Sequence, residues 1–181
     1  TLNLLEKAKA TLAAAHASTV VRGQKSGPNY GEVAVGRAFL LYGHTNAEHD
    51  YRLLAGFKDL VDYGSATPFH DMEIGSVPGF RIVLTSMLKP YLGAGSATLN
   101  GMQFTSANTD VYVSMVCTDK GYGHVPLKGR NSMTPFVLPA SDRNHANFAA
   151  QFGYVGVDFY TTSVRLNEFW LYRTEHCVTA L

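Results

Sequence analysis

From Gln151 to Val178 the chain reads QFGYVGVDFYTTSVRLNEFWLYRTEHCV, an apolar and aromatic run with no proline to interrupt it. In an extended backbone, successive side chains alternate between faces. Val155, Val157, Phe159, Thr161 and Ser163 then point one way, and Tyr154, Asp158, Tyr160, Thr162 and Val164 the other. Further on, Phe169 and Leu171 oppose Trp170 and Tyr172. Bulky groups on both faces leave two solutions: a central strand of a covered sheet, or a ribbon covered by a partner chain. Asn167-Glu168 is the expected place for a turn or bulge.

The remaining chain must fold against this ribbon or be inserted before it. With 181 residues there is enough for one core, or one core and a lobe. Charged residues are 16% of the total, well below the ~25% of an average soluble protein, while hydrophobic residues are an ordinary 46%. Interface cores are depleted of charge, so this imbalance points to an assembly rather than a solitary enzyme. The formal net charge of +1 gives no electrostatic footprint for nucleic acid. Cys117 and Cys177 form no spacing motif and read as thiols in a reducing compartment. No apolar run approaches the ~20 residues of a membrane span, and no membrane partner is expected. The first residue is Thr, and the chain opens inside an apparent helix, so we expect further residues upstream.

Leu2, Leu5, Ala8, Leu12 and Ala15 fall at helical spacing and predict an amphipathic helix. Val20 to Tyr30 reads as a linker, and Val33 to Leu41 as a strand. Thr45-Asn46-Ala47-Glu48 fits a capping box. It predicts a helix carrying Tyr51, Leu54, Phe57 and Val61, closed by Gly64. Pro78-Gly79 predicts a tight turn leading into a strand from Phe80 to Leu84. Asp110 to Thr118 alternates as a strand, with Tyr122 to Leu127 as its expected hairpin partner. Ser65 to Asp71, Gly93 to Thr109 and Lys128 to Asn147 read as loops.

His44, Glu48, His49 and Asp50 are the densest cluster of metal-capable side chains, but their spacing matches no zinc motif. His44, Glu48 and His49 would serve a metal-dependent hydrolase if the chain were one. Gly93-Ala94-Gly95-Ser96 lacks the third glycine and the following helix of a dinucleotide site. His176 and Cys177 are sequence neighbours whose side chains diverge in a strand. Of the acids, Asp71, Glu73, Asp110, Asp119, Asp142, Asp158, Glu168 and Glu175 are scattered. Arg165, Arg173 and Glu175 lie inside the apolar ribbon and suit pairing with one another or across a subunit contact. The sequence therefore nominates no catalytic, cofactor-binding or metal-binding residue. A β-rich binding module with the aromatic ribbon as its platform is a further alternative.

Three stretches together resemble a known family. They are Val33 to Tyr63, the motif Glu73-Ile74-Gly75-Ser76-Val77-Pro78-Gly79-Phe80-Arg81-Ile82-Val83, and Gly153-Tyr154-Val155-Gly156 through Leu166-Asn167-Glu168 to Glu175. In that order, with Tyr122-Gly123 and Val125-Pro126-Leu127 between, they are similar to the C-terminal portion of major capsid proteins of tailed bacteriophages, the N4-like family with the HK97 fold. Met72 stands where that family often has glycine.

The resemblance implies an α+β HK97-like capsid fold. It implies an axial domain (A-domain) over 29–147 and parts of a peripheral domain (P-domain) at 1–28 and 148–181. The family's N-terminal arm, extended loop and spine helix cannot be placed in this sequence. Also implied are pentamers and hexamers of an icosahedral shell around double-stranded DNA, held without sequence-specific contacts. The expected partners are other copies of the chain, with scaffolding, portal or decoration proteins. The expected location is the virion capsid, assembled in the host cytoplasm, with no cofactor and no catalysis. Ring contacts are expected in the three loops named above.

Overall fold

A computed structural model describes residues 2–24, 32–63, 68, 70–97, 101–126, 133–143, 145 and 147–180. The chain divides into two compact units: 1–121 with 167–181, and 122–166.

The first unit opens with α1, Leu2–Ala14, whose Leu5, Ala8 and Leu12 are buried as the spacing predicts. The helix ends in a Schellman motif: the Ala17 N–H donates to Leu12 O (2.9 Å) and the His16 N–H to Ala13 O (3.0 Å). His16 holds the left-handed position usually given to glycine, with φ 54°. The expected linker then begins as β1, Val20–Gln24, antiparallel to β2, Glu32–Gly43. The rest of that linker lies outside the described residues.

The helix expected after Thr45 is short. A 3-10 turn over Thr45–Ala47 leads into α2, Glu48–Arg52. The capping box does not form. His44 Nδ1 accepts from the Asn46 N–H (3.1 Å), and the Glu48 carboxylate accepts from Arg52 Nε (3.0 Å). Gly56 at φ 78° turns the backbone out of helical geometry. The chain continues as β3, Lys58–Asp59, and a 3-10 turn over Leu60–Tyr63. Gly64 lies outside the described residues.

β5, Phe80–Leu84, is the expected strand after the Pro78-Gly79 turn, and β4, Glu73–Val77, pairs with it antiparallel as a hairpin. Gly79 takes φ 97° at its turn. Two small strands, β6 (Phe104–Thr105) and β7 (Asn108–Thr109), pair within the segment expected to be a loop. β8, Tyr112–Cys117, follows as predicted, but it does not pair with the strand after it. Its partners are β2 and the last strand of the unit, over Leu171–His176. Among the described residues the sheet is mixed, and β2 and β5 are its parallel pair. β5 is buried throughout, whereas β4 alternates. Phe80, Ile82, Leu41, Val116 and Leu12 meet in one core. Inside this sheet Arg81 and Glu73, both buried, form an ion pair at 3.5 Å.

The second unit is a ribbon. β9, Tyr122–Pro126, and β10, Met133–Leu138, come before the loop; β11, Tyr154–Phe159, and β12, Thr161–Arg165, return after it. β9 pairs antiparallel with β12, and β10 with β11. The expected pairing of β9 with β8 is thus replaced, and part of the expected Lys128 to Asn147 loop is a strand. Pro135 is tolerated there because a two-stranded ribbon needs hydrogen bonds on one side only. Asn167 breaks the run from Gln151 to Val178, as expected. Its side chain accepts from the Phe169 N–H at 3.0 Å and caps a 3-10 turn, after which β13, Leu171–His176, rejoins the main sheet. The architecture is therefore α+β, with a mixed sheet and few helices.

Candidate functional site

Two features stand out from a folded core, and each lies within one unit. The first is the ribbon surface. Every residue of β12 is exposed, as is β11 apart from Gly156. Val155, Val157, Phe159, Tyr160 and Val164 are among the exposed large apolar side chains, and Val125, Phe136 and Val137 join them from the facing strands. The ribbon's own glycines are shielded by cross-strand neighbours: a Cβ on Gly156 would meet the Phe136 ring at 2.2 Å. Larger apolar patches on a protein surface mark interaction sites. The two-sided greasiness read from the sequence lies at the surface: among the described residues β11 and β12 each pair with one strand only.

The loop between β10 and β11 is organised by Asn147, which is buried. Its side-chain amide donates to Phe152 O (2.6 Å), and its carbonyl accepts from the N–H groups of Gln151 (3.0 Å) and Phe152 (3.3 Å). The Ala150 N–H closes the turn onto Asn147 O at 3.2 Å. The polar groups of the turn point inward while Phe148 stands outward, 86% exposed. Nothing in the sequence flagged this turn; an Asn followed by Phe-Ala-Ala carries no standard turn signal.

The second feature is a cavity of about 340 Å³ in the first unit, walled by α1, β2, α2, β8 and β13. Leu4, Leu5, Leu41 and Leu54 supply much of its lining. Tyr51 and Ser114 share a buried hydrogen bond at 2.5 Å. Burial pushes the Tyr51 phenol up to about 12, and burial also holds His176 below its ordinary value. Both rings are therefore neutral near pH 7. The rings meet edge-on, with centroids 6.1 Å apart, and His176 Nε2 is buried without a hydrogen-bond partner among the described residues. The Asp50 carboxylate accepts from Thr179 N (2.9 Å) and Oγ1 (2.6 Å). Such walls suit an uncharged, apolar occupant.

The candidate metal cluster is not brought together. His44 stacks edge-on against Tyr112 at 5.1 Å, Glu48 is bonded to Arg52, and Asp50 to Thr179. His49 lines a shallow recess with Glu48, Arg52 and Gln103. Among the described residues no three His, Cys, Asp or Glu side chains converge as a metal ion would require. In the glycine-containing segment, buried Asp110 accepts from the Gly93 N–H (2.7 Å) and Thr105 Oγ1 (3.0 Å), a structural use of that acid. Cys117 is buried, and its thiol is pushed up to about 11, which keeps it inert. Cys177 is half-buried and lines the cavity. Arg173 pairs with Glu175 on the exposed side of β13 and lies over the Tyr91 ring at 5.6 Å. No described helix is long and apolar enough to cross a membrane. Compared with models of known protein families and with curated proteins, the chain finds no match.

Proposed function

We propose that this chain is a structural, self-assembling subunit: a major capsid protein with the HK97-like fold of tailed bacteriophages, forming pentamers and hexamers of a shell around double-stranded DNA. The observation that carries this reading is the ribbon, which leaves apolar side chains exposed on both faces in a single chain. A two-stranded ribbon is marginal in water without further packing. Copies of the chain, covering one another, would bury it. The low fraction of charged residues agrees with extensive contact surface. Near-neutral charge suits an inner wall that must not clamp packaged DNA. In this reading no catalytic residue, metal or cofactor is required, and scaffolding, portal or decoration proteins join the copies in the virion capsid, assembled in the host cytoplasm.

Expression of the intact gene product, followed by light scattering and electron microscopy, tests the reading. Closed particles of uniform diameter are expected. A dispersed monomer that binds a glycan or peptide through its aromatic residues would replace it with the binding-module alternative.

A further inference from the structure

We propose that the cavity of the first unit binds a small, neutral, largely apolar molecule carrying a single hydroxyl group, which bonds to His176. This goes beyond the assembly reading and does not depend on it, because every lining residue belongs to one unit of one chain.

Size and lining set the apolar part of the ligand. An apolar cavity of about 150 Å³ already accommodates benzene, and this one is about 340 Å³. Sites for small molecules begin at roughly 300 Å³. Leu4 and Leu5 from α1, Leu41 from β2, and Leu54 and Met102 offer apolar contact.

The polar side chains of the wall set the rest. Tyr51 and Ser114 satisfy one another at 2.5 Å. Thr174 Oγ1 donates to Ser114 O at 3.3 Å, and the Cys177 thiol reaches Thr109 Oγ1 at 3.8 Å. Thr179 donates to both oxygens of Asp50. His176 Nε2 stands apart: it is buried and has no hydrogen-bond partner among the described residues. A buried polar atom left unbonded is costly, and a ligand that bonds it removes that cost. The ring is a half-buried part of the wall, and a turn about its side-chain bonds presents Nε2 to the interior.

A hydroxyl fits this place because it both donates and accepts, so it bonds Nε2 in either tautomer of the neutral ring. A charged group does not fit. Burial keeps His176 and Tyr51 neutral near pH 7, so no cation among the lining residues can pair with an anion. A cation finds both Asp50 oxygens already engaged. Either ion would lose its water without full replacement.

Cys177, in the wall, reports occupancy, while Cys117 is buried and inert. The full chain is treated with iodoacetamide in rising concentrations of 2-phenylethanol, and alkylation of Cys177 is followed by peptide mass spectrometry. Saturable protection is expected, with a matching rise in melting temperature. Propylbenzene, alike in shape but without the hydroxyl, should also protect. His176→Phe keeps a ring and removes the nitrogen. It should weaken 2-phenylethanol by about tenfold, the worth of one hydrogen bond, and leave propylbenzene unchanged. His176→Gln, which restores a donor and an acceptor, should keep most of the affinity for the alcohol. Leu54→Trp fills the cavity and should abolish protection by both probes. Phenylacetate and 2-phenylethylammonium should protect far less well than the alcohol. Absence of protection by either neutral probe overturns the site, as does protection that survives Leu54→Trp. Equal losses of the two neutral probes in His176→Phe overturn the hydroxyl contact. A charged analogue that binds as tightly as the alcohol overturns the neutral class. Each of these outcomes leaves the assembly reading where it stands.

Discussion

The β4–β5 hairpin and the β10–β11 pair have similar strands and opposite fates. EIGSV and FRIVL lie in the mixed sheet, with β5 buried along its whole length. MTPFVL and YVGVDF are as rich in apolar and aromatic residues, yet no third strand and no helix covers them among the described residues. The difference is not in the strands. β5 has β2 on one side and α1 packed into the same core, whereas β11 has only β10. Apolar composition sets the demand for cover; topology decides whether the same chain meets it. In the ribbon the demand is left open, which is why a second molecule enters the argument.

Paired truncations should widen this contrast most. Phe80→Ala removes a ring from the filled core and is expected to lower stability by about 4 kcal/mol in urea unfolding. Phe159→Ala on the ribbon should change the unfolding free energy of the isolated chain by less than about 0.5 kcal/mol, while reducing particle yield. Equal losses at the two positions would mean that the ribbon is packed inside its own chain, and the contrast would collapse.

The next effect is electrostatic and belongs to the sheet alone. Arg81→Met leaves the buried Glu73 carboxylate without its guanidinium and is expected to cost about 3 kcal/mol. Combining it with Glu73→Leu should recover part of that, because the carboxylate that had lost its guanidinium is removed as well. A double variant no better than the single one would show that other contacts of these residues dominate.

The smallest effect is a gain. His16→Gly relieves the left-handed backbone at the end of α1 and should raise stability by about 1 kcal/mol, seen as a higher melting temperature. Ribbon-dependent assembly should not change. A parallel change in particle yield would tie the helix end to the subunit contact and blur the division.

Several elements were legible because their signals are local. The α1 stripe, the Pro78-Gly79 turn and the break at Asn167 each depend on a few adjacent residues. The helix after Thr45 was overread because Leu54 and Phe57 keep helical spacing beyond Arg52, where the helix ends; both still pack against the core from outside the helix. The partner of β8 was misread because Asp119-Lys120-Gly121 looks like a hairpin turn, while the true neighbours, β2 and β13, are distant in sequence and leave no local mark. Pro135 disguised β10 as a loop. Of the candidate sites, the ribbon's two apolar faces were visible from Tyr154 to Val164, but their exposure needed the fold. The cavity was invisible, since Leu4, Tyr51 and His176 meet only in three dimensions.

The clasp where the ribbon leaves the sheet, with the Asn167 N–H reaching Gly121 O at 3.5 Å, has a consequence for synthesis. β13 flanks β8 but leaves the ribosome only after all 45 residues of the intervening unit. During translation the greasy arm is therefore extruded before the body that carries it can be completed. If copies of the chain cover one another as proposed, the nascent chain exposes its adhesive arm before its body is complete, and the order of synthesis becomes part of how assembly is timed.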